Sequence, residues 1–389
     1  MIKTLSSLDS SIKRVLVRVD LNVPVKDGKV TDSTRIERIV PTIEALQPAN
    51  RQIVLLSHFG RPKNGYDEKF SLKQIVPKIE EILKHKVSFI SDMEVNLDDA
   101  KPGIYLLENT RFYDGEESNS SELANKLAKF ADVYVNDAFS ASHRAHASTT
   151  AIANILPSYA GISLEQELSA LSAGLDAPQQ PLTAIVGGAK ISTKIDLLSN
   201  LVKKVDNLVI GGGMANTFLA AKGYDVGASL CEHDAIDKAK QIISAAKEHN
   251  CNIVLPIDAI VAKEFSNDVA TYERDIDAIE ISDMILDIGT KSVEKIKQVI
   301  NQSKTIIWNG PVGAFEVSNF ANGTIAIAQL IAKLTKEGHI VSVAGGGDTV
   351  YALSVAGVTS ALTYVSTAGG AFLEWMEGKT LPAIAVLDK

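Results

Sequence analysis

Along the first half of the chain stand side chains suited to gripping a small anion: Asp20 and Asn22 in VRVDLNVP, Arg35 in TDSTRI, His58 and Arg61 in SHFGRP, Arg111 in LLENTRF and Arg144 in NDAFSASHRAH. Arginine presents a planar fork that bonds a carboxylate or a phosphate at two points. Singly, each arginine reads as a surface residue with a carboxylate partner. Several at one edge of a sheet suit a small, highly anionic ligand such as a phosphorylated acid. Arg18 shares a strand face with Asp20, which suggests that it orients that carboxylate.

The second half repeats a different signal. Glycines follow its apolar runs: Gly187 and Gly188 (IVGGAK), Gly211, Gly212 and Gly213 (VIGGGMA), Gly310 and Gly313 (WNGPVGAFE), Gly345, Gly346 and Gly347 (AGGGDT), then Gly369 and Gly370 (STAGGAF). Glycine lets backbone N–H groups approach phosphate oxygens, and a helix starting there adds the positive end of its dipole. One pair alone reads as a tight turn; repetition at successive exits reads as a nucleotide or phosphate cradle. Lys190 and Lys194, four apart, are expected on one helix face, with Lys190 the better placed to reach a phosphate. Asp348, after three glycines, serves either as a Mg²⁺ ligand or as a helix N-cap.

These residues need elements to position them. Short β-branched runs at 15–19, 53–56, 104–107, 133–135, 182–186, 208–210, 253–255, 305–308 and 340–343 alternate with helical periods at 34–46, 71–83, 121–130, 191–202, 233–248, 291–301 and 322–333. Continuous apolar strands separated by helices imply parallel sheets covered on both faces. In such sheets ligands bind beyond the carboxyl ends of the strands, where the residues above stand. Residues 162–175 read as a helix, followed by the proline-bounded break DAPQQP at 176–181. The expectation is an α/β protein of two Rossmann-like domains, each a parallel sheet with helices on both faces, joined by a hinge helix.

Composition agrees and excludes. The 389 residues suggest two domains, and 46% hydrophobic with 22% charged residues is ordinary globular usage. A net charge of −8 without a basic run argues against nucleic-acid binding. No apolar stretch is long enough to span a bilayer, and the first ten residues lack a signal-peptide layout, so a cytoplasmic protein without a membrane partner is expected. Cys231 and Cys251 read as small buried hydrophobes. His143 and His146 flank Arg144 and read as support or packing rather than a metal site. GxxxxGK[ST], HRD, DFG, GxSxG and HExxH motifs are absent, and no GxGxxG follows the first strand, which speaks against P-loop, protein-kinase, hydrolase, zincin and dinucleotide-dependent classes.

Taken in order, VRVDLNVP, SHFGRP, LLENTRF, NDAF with HRAH, GGAK, GGGMA, WNGPVGAFE, AGGGDT and STAGGA resemble the phosphoglycerate kinase family across residues 15–379. The resemblance implies reversible transfer of the acyl phosphate of 1,3-bisphosphoglycerate to MgADP, giving 3-phosphoglycerate and MgATP. It implies an acid site of Asp20, Asn22, Arg35, His58, Arg61, Arg111 and Arg144. It implies a nucleotide site of Lys194, Gly213, Glu316 at the ribose, and the loop Gly345, Gly346, Gly347, Asp348 and Thr349. Arg35 and Lys190 would steady the transferring phosphoryl with the amides of Gly347 and Gly370, and Asp348 would face Mg²⁺. The implied domains are an acid-binding 1–165, a hinge 166–181 and a nucleotide-binding 182–377, with 378–389 returning to the first; a monomer is expected. Thr193, Ala368 and Ser140 depart from the common pattern, in which some members carry aspartate at the first position and glycine at the other two. The competing readings are another ATP-dependent acid kinase and a catalytically silent nucleotide-binding protein.

Overall fold

The computed structural model describes residues 2–63 and 65–388; Met1 and Lys389, which fall in the expected segments 1–165 and 378–389, lie outside the described residues. Two compact units emerge, Met1–Leu168 with Thr380–Lys389, and Ser169–Lys379. The segment expected as a separate hinge is divided between them, because its later residues are anchored to the second sheet: Thr305 Oγ1 donates to the carbonyl of Gln179 at 2.8 Å and Gly174 packs on Val343.

In the first unit six parallel strands run in the order Val87–Ile90, Gly103–Leu107, Gln52–Leu56, Arg14–Arg18, Val133–Asn136, Ser158–Ala160. Val15, Leu16 and Val17 are sealed from solvent, as a central strand covered on both faces requires. Helix Thr34–Leu46 covers one face with Ile36, Ile39, Ile43 and Leu46, the spacing of one apolar stripe. The direction of the connections reverses beside Arg14–Arg18, whose neighbours are Gln52–Leu56 and Val133–Asn136, so a crevice is expected beyond its end. Residues 380–388 complete this unit: the Ala383 amide donates to the Ser142 carbonyl at 3.2 Å and Asn136 Nδ2 to the Ala383 carbonyl at 3.4 Å.

The second unit also holds six parallel strands, Asn252–Val254, Asn207–Ile210, Leu182–Val186, Thr305–Asn309, Val341–Gly345 and Tyr364–Ser366. Numbered along this unit the order is 3-2-1-4-5-6, with the switch between Leu182–Val186 and Thr305–Asn309. Trp308, 1% exposed, centres the core with Ile185, Ile306 and Ala344. A three-stranded antiparallel sheet, Tyr272–Asp275, Asp258–Ala262 and Met284–Ile288, was not expected from the sequence. Its edge strand YERD faces solvent and carries no apolar alternation, which hid it.

Candidate active site

In the first unit the strand exits deliver the anion-gripping set to one edge. Asp20 follows Arg14–Arg18, His58 and Arg61 follow Gln52–Leu56, Arg111 rides the 3-10 turn Thr110–Phe112 after Gly103–Leu107, and Arg144 follows Val133–Asn136. Arg35, second residue of its helix, reaches back to them: Nη1 lies 2.9 Å from Asp20 Oδ2 and donates to the Asn22 carbonyl at 3.0 Å. Asp20 also accepts from the Asn22 amide at 3.0 Å and from the Ser140 hydroxyl. Burial would raise the Asp20 pKa, but Arg35 and these hydrogen bonds outweigh it and hold the carboxyl below its usual range. Ser140, one of the departures from the common pattern, thus adds a bond to the carboxylate that orients Arg35.

The loops carrying these groups are tied to one another. Asn22 Oδ1 accepts from the Gly60 amide at 2.8 Å, and Arg111 Nη1 donates to the Gly60 carbonyl at 2.5 Å. Asn109, fully buried, accepts from the Phe59 amide at 3.0 Å and donates to the Phe59 and Phe70 carbonyls at 2.7 and 2.9 Å, clamping the loop on which His58 and Arg61 sit. Sequence reading did not single out Asn109, because its role is visible only in partners about fifty residues away.

The cations crowd one another. The Arg111 pKa is depressed by burial first, with Glu117 opposing and Arg144, Arg18 and Arg61 adding repulsion. His58 is pushed down to about 3 by burial and then by Arg18, with Asp20 opposing and Arg111 and Arg35 assisting, so its ring is neutral. Arg61 is exposed, and Arg144 Nε lies 3.1 Å from His143 Nε2. Arg18 does not orient Asp20 through a bond of its own: its nitrogens go to Val19, Ser148 and His58. His146 Nδ1 stands 3.9 Å from Glu116, a supporting contact.

In the second unit the glycine-rich exits open three helices, Gly212–Ala221, Gly347–Val355 and Gly369–Met376, whose N-termini follow the carboxyl ends of their strands; in the first of them the Gly212 and Met214 amides are taken by the Val312 and Gly188 carbonyls. Gly346 adopts φ +96°, a left-handed conformation that favours glycine, and turns the chain into Gly347–Val355. Asp348 lies inside that helix, whose N-cap is Gly346, so the N-cap alternative falls. Thr349 Oγ1 instead accepts from the Gly310 amide at 2.7 Å and joins two glycine exits.

Lys190 and Lys194 do not share a helix face. Residues 190–194 form turns and the helix begins only at Ile195, as Ile195–Leu201, because Glu232 holds the loop by accepting from the Ser192 amide at 3.0 Å and its hydroxyl at 2.6 Å. Lys190 is exposed; Lys194 is half-buried. The Lys194 ammonium donates to the Gly187 carbonyl at 2.7 Å and to Asn309 Oδ1 at 2.6 Å, while Asn309 Nδ2 donates to the Gly345 carbonyl at 2.9 Å. Asn309 therefore couples the lysine to the glycine loop across the switch point; its motif was visible in the sequence but its part was not. Gly187 sits so close to the Pro311 carbonyl that no Cβ fits there. Gly213, the second residue of Gly212–Ala221, lies against Ala189 and Leu230; Glu316, Gly347, Asp348 and Gly370 are exposed and free to meet a ligand. Cys251 is buried as expected, but Cys231 is only half-buried.

Burial lowers the Lys194 pKa to about 8, with Asp348 opposing. The folded chain therefore gives up this proton below the ordinary value of 10.5, and folding gains from this group only as pH rises from about 8 towards 10.5; below about 8 both states are protonated and the slope vanishes. In function the sign is opposite. We expect kcat/KM for the nucleotide to fall as pH rises through about 8, where the ammonium charge is lost, and a Lys194→Ala profile to lack that step.

Among the described residues no three His, Cys, Asp or Glu side chains group to hold a metal. A Mg²⁺ that arrives on nucleotide phosphates needs only one or two carboxylates. Exposed Asp348 beside the glycine loop fits that requirement.

The family model for phosphoglycerate kinase matches residues 5–379. The chain is 56% identical to a phosphoglycerate kinase of Chelativorans sp. (strain BNC1), covering 100% of this chain and 99% of the relative. It is 57% identical to that of Agrobacterium fabrum, covering 99% and 98%. Among solved structures, phosphoglycerate kinase from Coxiella burnetii superposes with a TM-score of 0.94 at 45% identity, covering 100% of this chain and 99% of that one. The enzyme from Pyrococcus horikoshii superposes with a TM-score of 0.81 at 29% identity, covering 100% and 98%.

Proposed function

The chain belongs to the phosphoglycerate kinase family, and on that premise we propose how its residues divide the work. The activity is the reversible transfer of the acyl phosphate of 1,3-bisphosphoglycerate to ADP, giving 3-phosphoglycerate and ATP in glycolysis, by a phosphotransferase with a carboxyl acceptor.

Asp20, Asn22, Arg35, His58, Arg61, Arg111 and Arg144 bind the phosphorylated acid. The observation that carries this is the gathering of Arg144, Arg18 and Arg61 close enough to Arg111 to repel it, with Glu117 opposing, in a chain of net charge −8. Lys194, Gly213, Glu316 and the loop from Gly345 through Gly346, Gly347 and Asp348 to Thr349 bind ADP or ATP, with Glu316 at the ribose. Three helix N-termini at one edge support this. Phosphoryl transfer passes through a loose transition state with charge spread over three oxygens, so the protein's task is alignment and electrostatic stabilisation. Arg35 and Lys190 neutralise that charge, and the amides of Gly347 and Gly370 donate to the same oxygens. Asp348 would hold the Mg²⁺ that accompanies the nucleotide, which would supply further neutralisation.

Segment 166–181 is assigned the bending that brings acid and nucleotide into line and excludes water. Small-angle scattering showing no compaction with both substrates removes that assignment. We place the enzyme in the cytoplasm, as a monomer acting on small molecules, by its membership of the family; no helix of the described residues is long and apolar enough to cross a membrane.

The test is a coupled assay: 3-phosphoglycerate and MgATP with glyceraldehyde-3-phosphate dehydrogenase and NADH, following NADH loss. Turnover requiring both substrates and Mg²⁺ is expected. Turnover with another acid only, or nucleotide binding without turnover, overturns the reading.

A further inference from the structure

Arg18 is 1% exposed, and each of its guanidinium nitrogens has a partner: Nη1 donates to the Val19 carbonyl at 2.5 Å, Nε to Ser148 Oγ at 3.0 Å, and Nη2 to His58 Nδ1 at 3.1 Å. Behind it, Ser148 Oγ donates to Glu116 Oε1 at 2.6 Å and the Ser148 amide donates to Glu116 Oε2 at 3.0 Å. Glu116 is 1% exposed and Ser148 fully buried. Charges so deep persist only where they are paired and hydrogen-bonded, and here the carboxylate and the guanidinium balance each other through one hydroxyl.

The direction of every bond in this row follows from chemistry. Arginine has only donors, so His58 Nδ1 must accept. A neutral imidazole that accepts at Nδ1 carries its hydrogen at Nε2. Ser148 Oγ accepts from Arg18, which leaves its own hydrogen for Glu116. The row Glu116, Ser148, Arg18, His58 thus has a single polarity, set at its buried end by a group that can only accept while ionised.

We propose that Glu116 and Ser148 are positioning residues which, through Arg18, hold His58 as the Nε2–H tautomer, so that the ring offers a neutral N–H donor to an oxygen of the phosphorylated acid. This rests on the reading of His58 as an acid-binding residue. A neutral donor recognises an oxygen without adding charge to an edge already crowded by Arg35 and Arg111, which face the ring beside Arg18, with Asp20 as the one facing anion. Glu116 also faces His146, at 3.9 Å, and the buried Tyr134.

The first experiment needs no variant: ¹⁵N NMR of the histidine-labelled full-length protein, with His58→Ala to assign the ring, expected to show His58 protonated at Nε2 alone. Ser148→Ala, which removes the hydroxyl but neither charge, should give a mixture of tautomers and raise KM for 3-phosphoglycerate about 10-fold, with a lower Tm because Arg18 and Glu116 each lose a buried partner, and with KM for MgATP near that of the parent. A ring protonated at Nδ1 in the parent, or Ser148→Ala with both tautomer and KM unchanged, overturns the proposal. Unchanged KM for 3-phosphoglycerate in His58→Ala overturns the acid-binding reading itself. That result is separable, because the tautomer measurement does not depend on activity.

Discussion

Arg35→Ala lowers kcat by about 10²–10³-fold while KM for MgATP stays within about two-fold, the size found when one preorganised donor to a developing charge is removed. Two features of this chain make Arg35 the residue to test. Its guanidinium is already oriented before substrate arrives, by Asp20 at 2.9 Å and the Asn22 carbonyl at 3.0 Å, so little reorganisation is needed at the moment of transfer. Asp20 in turn is held by the Asn22 amide and the Ser140 hydroxyl, so the orientation is fixed by the sheet edge and not by the helix alone. Because removing Arg35 leaves Asp20 without its ion-pair partner, a loss of Tm accompanies the loss of rate. Lys190→Ala is the control for that side effect: the side chain is exposed, so the same fall in kcat is expected without a fall in Tm. Unchanged kcat in both variants refutes charge neutralisation by these two residues.

Trp308→Ala destabilises the protein by about 3–5 kcal/mol, measured by denaturant unfolding. Trp308 is 1% exposed at the centre of the second sheet, among Ile185, Ile306, Ala344 and Leu353, and no neighbouring strand can collapse into the space it leaves without breaking register. Its Nε1 also donates to the Gly310 carbonyl at 2.7 Å, on the turn that carries the Thr349 bond. The cradle slackens with the core, so KM for MgATP rises in the same variant. A cost below about 1 kcal/mol shows that the site is braced by something other than this packing.

What the sequence revealed depended on how local the cause was. Helix Thr34–Leu46 and strand Leu182–Val186 have the bounds expected from their patterns, since an apolar stripe and a sealed β-branched run carry their signal within themselves. Val87–Ile90 and Ser158–Ala160 were missed because they are short, partly exposed strands whose pairing comes from distant residues. Gly212–Ala221, Gly347–Val355 and Gly369–Met376 open on glycine, which reads as loop; packing on the sheet overrides that propensity. The helix expected from residue 191 starts late because Glu232, forty residues on, holds its first turn. The charged groups assigned to the site were legible by chemical type. Asn109, Asn309, Ser148 and Glu116 were not, because each acts through a buried partner far along the chain and carries no spacing rule of its own.

The return of residues 380–388 to Ser142 and Asn136 sets an order of events during synthesis. The ribosome releases this closing piece only after all of 169–379, which at about 5–20 residues per second is a delay on the order of ten to forty seconds. Throughout that interval the first unit waits with an open seam, while the second, a single uninterrupted stretch, has everything it needs to fold as soon as residue 379 has emerged. The sheet that came off the ribosome first is therefore the last to be finished, and a nascent chain stalled just after residue 379 carries a completed second unit and an unsealed first one.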